Sequence, residues 1–122
     1  MNKEELLRKL VSKTNECGVI HAIYECFGHG VKVEIGFSSM ACSMSIDEIN
    51  FSVRSLNALK RAGMFTIGDV IHALSGEDLL KVRNLGRKSL NEIKTKILAF
   101  GFERLSDPGK HEFFSQLVDL NM

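Results

Sequence analysis

The sequence predicts a mainly α-helical protein, in which a compact domain of four to five helices follows a smaller segment of mixed helix and strand. Two observations support this fold class: apolar residues recur at helical spacing through most of the chain, and several such stretches begin at a capping residue. The 122 residues are 44% hydrophobic and 25% charged, a composition typical of a globular domain. We expect three units, at residues 1–44, 45–102 and 103–122.

The first stretch, "KEELLRKLVSKTNE", predicts an amphipathic helix. Its apolar residues recur at helical spacing, with charged residues on the other side. These residues are Leu6, Leu7, Leu10 and Val11.

Residues 19–37 fit two structures. Four apolar residues alternate with polar or small ones, which is a strand pattern. These are Val31, Val33, Ile35 and Phe37. "GHG" would turn this strand back onto "VIHAIYECF" as a β-hairpin, although Ile20, Ile23 and Phe27 in that first arm also share a helical face. "SSMACSMS" then reads as a linker.

Capping signals divide the middle of the chain into four short helices. Ser45 and Glu48 form a capping-box pattern, and Ser52 caps a helix over "VRSLNALKRA" that ends at Gly63. "TIGD" starts a second helix and "SGEDLLKV" a short third one. The fourth, "RKSLNEIKTKILAF", follows "NLG" and is expected to stop at Gly101.

A last amphipathic helix is expected after "SDPG", where Asp107 would cap the helix and Pro108 would lie in its first turn. Its apolar side would consist of Phe113, Phe114, Leu117 and Leu120.

Positive charge is concentrated in one stretch. The formal net charge is only +1, yet residues 81–96 contain six basic residues against Glu92 alone. Exposed charges interact over a Debye length of roughly 8–10 Å, so such a local patch matters more than the total. The distribution predicts a polyanionic partner.

"NLG" opens directly into a helix, an arrangement that presents backbone N–H groups and a positive dipole to a phosphate. Gly86 would let the backbone approach the anion, and Arg87, Lys88 and Ser89 would add donors. This is the hairpin of a helix-hairpin-helix element. The alternative is that Gly86 is only a turn residue and the basic residues only a solvated helix face.

Arg54 and Asn57 lie three residues apart at the start of a helix and outside its apolar stripe. Projecting together, they could enter a minor groove and read its width and negative potential. The alternative is a surface ion pair of Arg54 with Asp47 or Glu48, which would contribute little.

The stretch "IDEINFSVRSLNALKRAG…KVRNLGRKSLNEIK" closely resembles the C-terminal domain of the bacterial RNA polymerase alpha subunit, over about residues 45–102. The resemblance implies a helical domain that binds AT-rich upstream promoter DNA in the minor groove and touches activators and sigma factor. It implies a set of DNA-contacting residues: Arg54, Asn57, Asn84, Gly86, Lys88 and Ser89.

Three departures from this family stand out. The preceding 44 residues differ in character from the large N-terminal domain of an alpha subunit. Ala58 occupies a position where the family often has cysteine, a mild change. Asn50 replaces a usual acid of the sigma-facing patch, in which Asp47 and Glu48 remain as candidate protein-partner residues.

Other chemistry is not predicted. The spacing of Cys17, His21, Cys26 and His29 matches no common zinc site. His72 lies in a mostly apolar helical stretch, which favours a packed or surface histidine over a catalytic one. We therefore expect no metal, no cofactor and no enzyme. The charged start lacks a signal peptide's apolar stretch, which predicts a cytoplasmic protein without a membrane partner.

Three function classes follow, of which we favour a stand-alone DNA-binding transcription protein that also contacts RNA polymerase or regulators. The second is a decoy or adaptor that captures an activator or sigma factor, and the third is a helix-hairpin-helix module of DNA repair.

Because a helix and one hairpin leave an apolar face uncovered, residues 1–44 predict a homodimer whose DNA-binding domains are connected to it by flexible linkers. In a monomer, "FFSQLVDL" would instead cover the hairpin.

Overall fold

The computed structural model describes residues 1–34, 37–75 and 85–122. Seven α-helices occupy these residues: α1 (Lys3–Cys17), α2 (Val19–Phe27), α3 (Ser39–Ser43), α4 (Val53–Arg61), α5 (Ile67–Ser75), α6 (Arg87–Glu103) and α7 (Asp107–Asn121). Short 3₁₀ turns lie at Gly28–Gly30 and Ile46–Glu48. The predicted mainly helical fold class is thus confirmed. Within the described ranges, no helix has the length and apolar character needed to cross a membrane.

The β-hairpin prediction for the N-terminal segment is wrong, because its first arm is the helix α2. Gly18, at φ 92°, ends α1 by donating its N–H to Thr14 O and leads directly into α2. Along α2 the buried residues Val19, Ala22 and Ile23 follow a helical period, so the helical alternative is the correct one. In the parts of the sequence that the structure describes, β pairing is limited to one isolated bridge between Ser45 and Thr66.

Residues 31–34 have no regular secondary structure. Their backbone forms hydrogen bonds with a side chain of α7, in the place where a neighbouring strand would bond in a sheet. Lys32 donates its N–H to Asn121 Oδ1 at 2.6 Å, and Asn121 Nδ2 donates to Lys32 O at 3.1 Å. This amide clasp fixes the segment on α7, so that Val31 and Val33 are buried.

The N-terminal core joins α1, α2 and α7 to the end of α6. Its buried residues are Leu10, Val19, Ala22, Ile23, Val31, Val33, Leu98, Ala99, Phe102, Phe113, Phe114, Leu117 and Val118. Phe102 and Phe114 stack at 4.4 Å between ring centroids. The apolar side predicted for the last helix therefore covers the N-terminal segment, with Leu120 half-buried at its edge.

The central core lies among α4, α5 and α6. Its buried residues are Ile46, Ile49, Phe51, Leu59, Ile67, Val70, Ala73, Ile93 and Ile97. Phe37 and Leu74 pack against both cores, and α6 contributes residues to each. The two cores are therefore continuous through α6.

The caps of α4 and α5 form as predicted. Ser52 accepts from Ser55 N at 3.3 Å, and Gly63 follows α4 with φ 80°, a value that favours glycine. Thr66 Oγ1 accepts from Asp69 N, and Asp69 Oδ2 accepts from Thr66 N, both at 3.1 Å. Ser45 also caps, although the element it starts is only the 3₁₀ turn Ile46–Glu48.

One predicted linker and two predicted helix boundaries are wrong. "SSMACSMS" is not a flexible linker, because it contains α3, which packs against α5. Helix α6 continues through Gly101 to Glu103, and α7 has Ser106 as its N-cap residue instead of Asp107. Pro108 does lie in the first turn of α7. The predicted helix after Ser75 lies outside the described residues.

Candidate nucleic-acid interface

The start of α6 is a helix terminus whose N-cap residue is Gly86. Within the described part of the chain, no side chain caps the first-turn N–H groups. Its φ of −79° and ψ of 173° are available to any residue, and a Cβ there would meet no atom of the described residues within 4 Å. The described residues thus leave space at the helix terminus, where the N–H groups and the dipole favour an anion.

Basic side chains surround this terminus. Arg87 and Lys88 are exposed and Ser89 is half-buried. The ion pairs found among the described residues involve neither of the two basic side chains, nor Arg54. Their positive charge is therefore not neutralised by a described carboxylate.

Glu92, the acid within the basic stretch, bonds inward to α4. Its carboxylate accepts from Ser52 N at 3.0 Å, from Ser52 Oγ at 2.9 Å and from the buried Ser55 hydroxyl. Lys96 Nζ adds an ion pair at 3.0 Å. Burial raises the pKa of Glu92, but the hydrogen bonds from Ser55, Lys96 and Ser52 outweigh burial and hold the pKa below its usual value. An ionised Glu92 therefore ties the N-terminus of α4 to α6.

This tie brings Arg54 beside the start of α6. An open groove with a volume of about 660 Å³ is lined by five of the predicted residues: Arg54, Gly86, Arg87, Lys88 and Ser89. Its other lining residues are Ile20, Ser52, Asn91, Glu92, Thr95 and Lys96. We call this feature the basic groove.

Two predicted members lie elsewhere. Asn57 is exposed on α4 but does not line the basic groove, and Asn84 lies outside the described residues. Sequence reasoning missed Ile20, because its place depends on how α2 packs against α6. It also missed Asn91, whose buried Oδ1 has no hydrogen-bond partner among the residues that the structure describes.

The alternative ion pair of Arg54 does not form. Asp47 pairs with Lys60 at 3.0 Å, and this hydrogen bond lowers the pKa of Asp47. Asp47 and Glu48 are both exposed in their 3₁₀ turn.

The last group of candidates consists of the residues considered as metal ligands or as a catalytic histidine. His72 is exposed on α5, and His21 Nε2 lies 3.0 Å from Glu25 Oε1. Cys17 is exposed and Cys26 half-buried, while the side chain of His29 lies outside what the structure describes. Among the described residues, no group of three or more His, Cys, Asp or Glu side chains could hold a metal ion.

The fold and the groove define a small helical domain that presents a basic helix terminus. Residues 38–99 match the family of the C-terminal domain of the bacterial RNA polymerase alpha subunit, and this protein belongs to that family. The resemblance predicted from sequence is confirmed.

Relatives in this family are DNA-directed RNA polymerase alpha subunits. That of Symbiobacterium thermophilum is 55% identical over 58 residues, which cover 48% of this protein and 18% of the subunit. That of Clostridium acetobutylicum is 51% identical over 65 residues, or 52% of this protein and 20% of the subunit. The protein therefore spans about a fifth of the length of these relatives. No solved structure matches it.

Proposed function

We propose that this protein binds duplex DNA through the basic groove, as a stand-alone transcription-related protein that prefers AT-rich sequence. The observation that supports this most is the convergence of Arg54 from α4 with the open N-terminus of α6 in one groove. The family supports a role in transcription without catalysis.

The two walls of the groove suit different parts of DNA. The N–H groups after Gly86, together with Arg87, Lys88 and Ser89, suit phosphate oxygens. Arg54 is exposed and stands on a neighbouring helix, so it can reach past the phosphates into a minor groove, whose potential is most negative where it is narrow. AT-rich sequence supplies such narrow grooves.

Protein partners use another surface in this proposal. Asp47 and Glu48 are exposed in the 3₁₀ turn before α4, and neither lines the basic groove. RNA polymerase, sigma factor or an activator could bind there while DNA occupies the groove.

The decisive experiment compares the binding of an AT-rich duplex, a GC-rich duplex and purified RNA polymerase by fluorescence anisotropy. With roughly three to five phosphates engaged, log K should fall against log salt with a slope of about −3 to −4. A preference for the AT-rich duplex is expected at every salt concentration. A slope near zero, or binding of polymerase without any binding of DNA, would favour the decoy or adaptor class.

A further inference from the structure

We propose that Ile20 of α2 contacts the DNA bound in the basic groove, which makes the N-terminal segment part of the DNA interface. This inference rests on the proposed function. Ile20 lines the groove together with Arg54 and Lys88, although it lies outside the family match at residues 38–99. No relationship to the family accounts for it.

Ile20 is an exposed apolar residue outside the buried face of α2. Its neighbours Val19, Ala22 and Ile23 are at most 7% exposed, whereas Ile20 is 42% exposed. Helix α2 packs against α6, the helix that carries Gly86 and Lys88 at its start. The Ile20 side chain thus stands at the edge of a groove in which a ligand would cover it.

The combination of an apolar side chain with basic side chains in the basic groove is complementary to DNA. The walls of its minor groove alternate charged phosphates with apolar deoxyribose faces, so an isoleucine beside basic residues can pack on sugar while they bind phosphate. Proteins that bind the minor groove also use apolar side chains against the duplex. A protein partner with an acidic, apolar surface is the competing occupant, and the test below separates it from DNA.

Four substitutions test the proposal in the full-length protein. Ile20→Ala should weaken DNA binding about three- to tenfold through lost apolar contact, with the salt slope unchanged because no charge is removed. Ile20→Lys should steepen the slope by about one. Val11 is a matched control, since it is 40% exposed and lines a different pocket, with Phe102 and Lys110. Val11→Ala and Val11→Lys should leave affinity and slope unchanged.

Lys88→Ala separates failure of this inference from failure of the proposed function. If Lys88→Ala weakens DNA binding while Ile20→Ala and Ile20→Lys bind like the unmodified protein, the inference is overturned and the proposed function stands. If none of these changes affects DNA binding, the groove does not bind DNA at all. Circular dichroism melting should show that every variant remains folded, since Ile20 and Val11 are both exposed.

Discussion

Arg54 and Lys88 lie in the same groove but should affect binding differently. Arg54→Ala should weaken binding to AT-rich DNA by about 1–3 kcal/mol and remove the preference for it. Lys88→Ala should weaken all sequences equally and flatten the salt slope by about one. Lys32→Ala is the control, because Lys32 is exposed and does not line the groove. If the Arg54 and Lys88 variants behave alike, Arg54 does not enter a DNA groove.

Glu92 should stabilise the fold through its negative charge. Glu92→Gln loses charge-assisted bonds to Ser52, Ser55 and Lys96, so the free energy of unfolding at pH 7 should fall by about 1–3 kcal/mol. Chemical denaturation measures this change. Glu103→Gln, at the exposed end of the same helix, is the control and should change stability little.

The difference in stability between the unmodified protein and Glu92→Gln should depend on pH, because it follows the ionisation of Glu92. Because folding lowers the pKa of Glu92, the stabilisation is fully present above the unfolded value of 4.5 and is lost as pH falls through the folded value. The unmodified protein and Glu92→Gln should therefore converge in stability as pH falls below 4.5 and through the lowered pKa of the folded state. A difference that persists unchanged into acid would show that the charge of Glu92 does not stabilise the fold.

Among the elements, α6 contains a glycine that sequence reasoning misread as a helix end. A Cβ on Gly101 would clash with Phe37 Cε1, so the glycine allows the ring to pack against the helix. Gly101→Ala should therefore lower the melting temperature, although alanine favours a helix by about 1 kcal/mol over glycine.

The double variant Gly101→Ala with Phe37→Leu tests the cause of this loss. If the clash with the ring is responsible, the Gly101→Ala change should cost less stability in the Phe37→Leu background than in the protein that retains Phe37. A higher melting temperature for Gly101→Ala alone would rule out the clash.

The sequence was sufficient to predict local features such as helix caps, but not how segments distant in sequence pack together. The caps at Ser52 and Thr66 depend on residues within one turn, so the sequence sufficed to predict them. Val31 and Val33 alternate like a strand, but the backbone of Lys32 between them bonds to the Asn121 side chain, which is distant in sequence. Likewise Arg54, Lys88 and Ser89 were predicted as a site, whereas the position of Ile20 required knowledge of how α2 packs.

At the scale of the molecule, the N-terminal segment should stabilise the family domain. Removing residues 1–37 would uncover Leu98, Ala99 and Phe102 on α6, which are at most 7% exposed in the full-length protein. A fragment of residues 38–122 should therefore unfold at lower denaturant concentration and bind a hydrophobic dye. Equal unfolding midpoints would support the division into independent units at residue 44, which remains a prediction.

The homodimer also remains a prediction, but two of the four apolar residues that suggested it are already covered. Val31 and Val33, which were expected to need a second copy as cover, are 0% and 3% exposed within one protomer. The α3 segment packs on α5, so it is not a free tether. Light scattering at tens of micromolar concentration measures the oligomeric state directly, and a dimer there would need a surface outside these cores.

The contact of α7 with α1 has a consequence during protein synthesis. On the order of 80 residues separate the end of α2 from the start of α7, which is roughly 4–16 s at ribosome speeds of about 5–20 residues per second. During that interval Leu10, which is buried in the complete protein, has left the ribosome without α7, the helix that packs against α1. The nascent polypeptide therefore depends on chaperones, or on its own transient helix pairing, until α7 emerges.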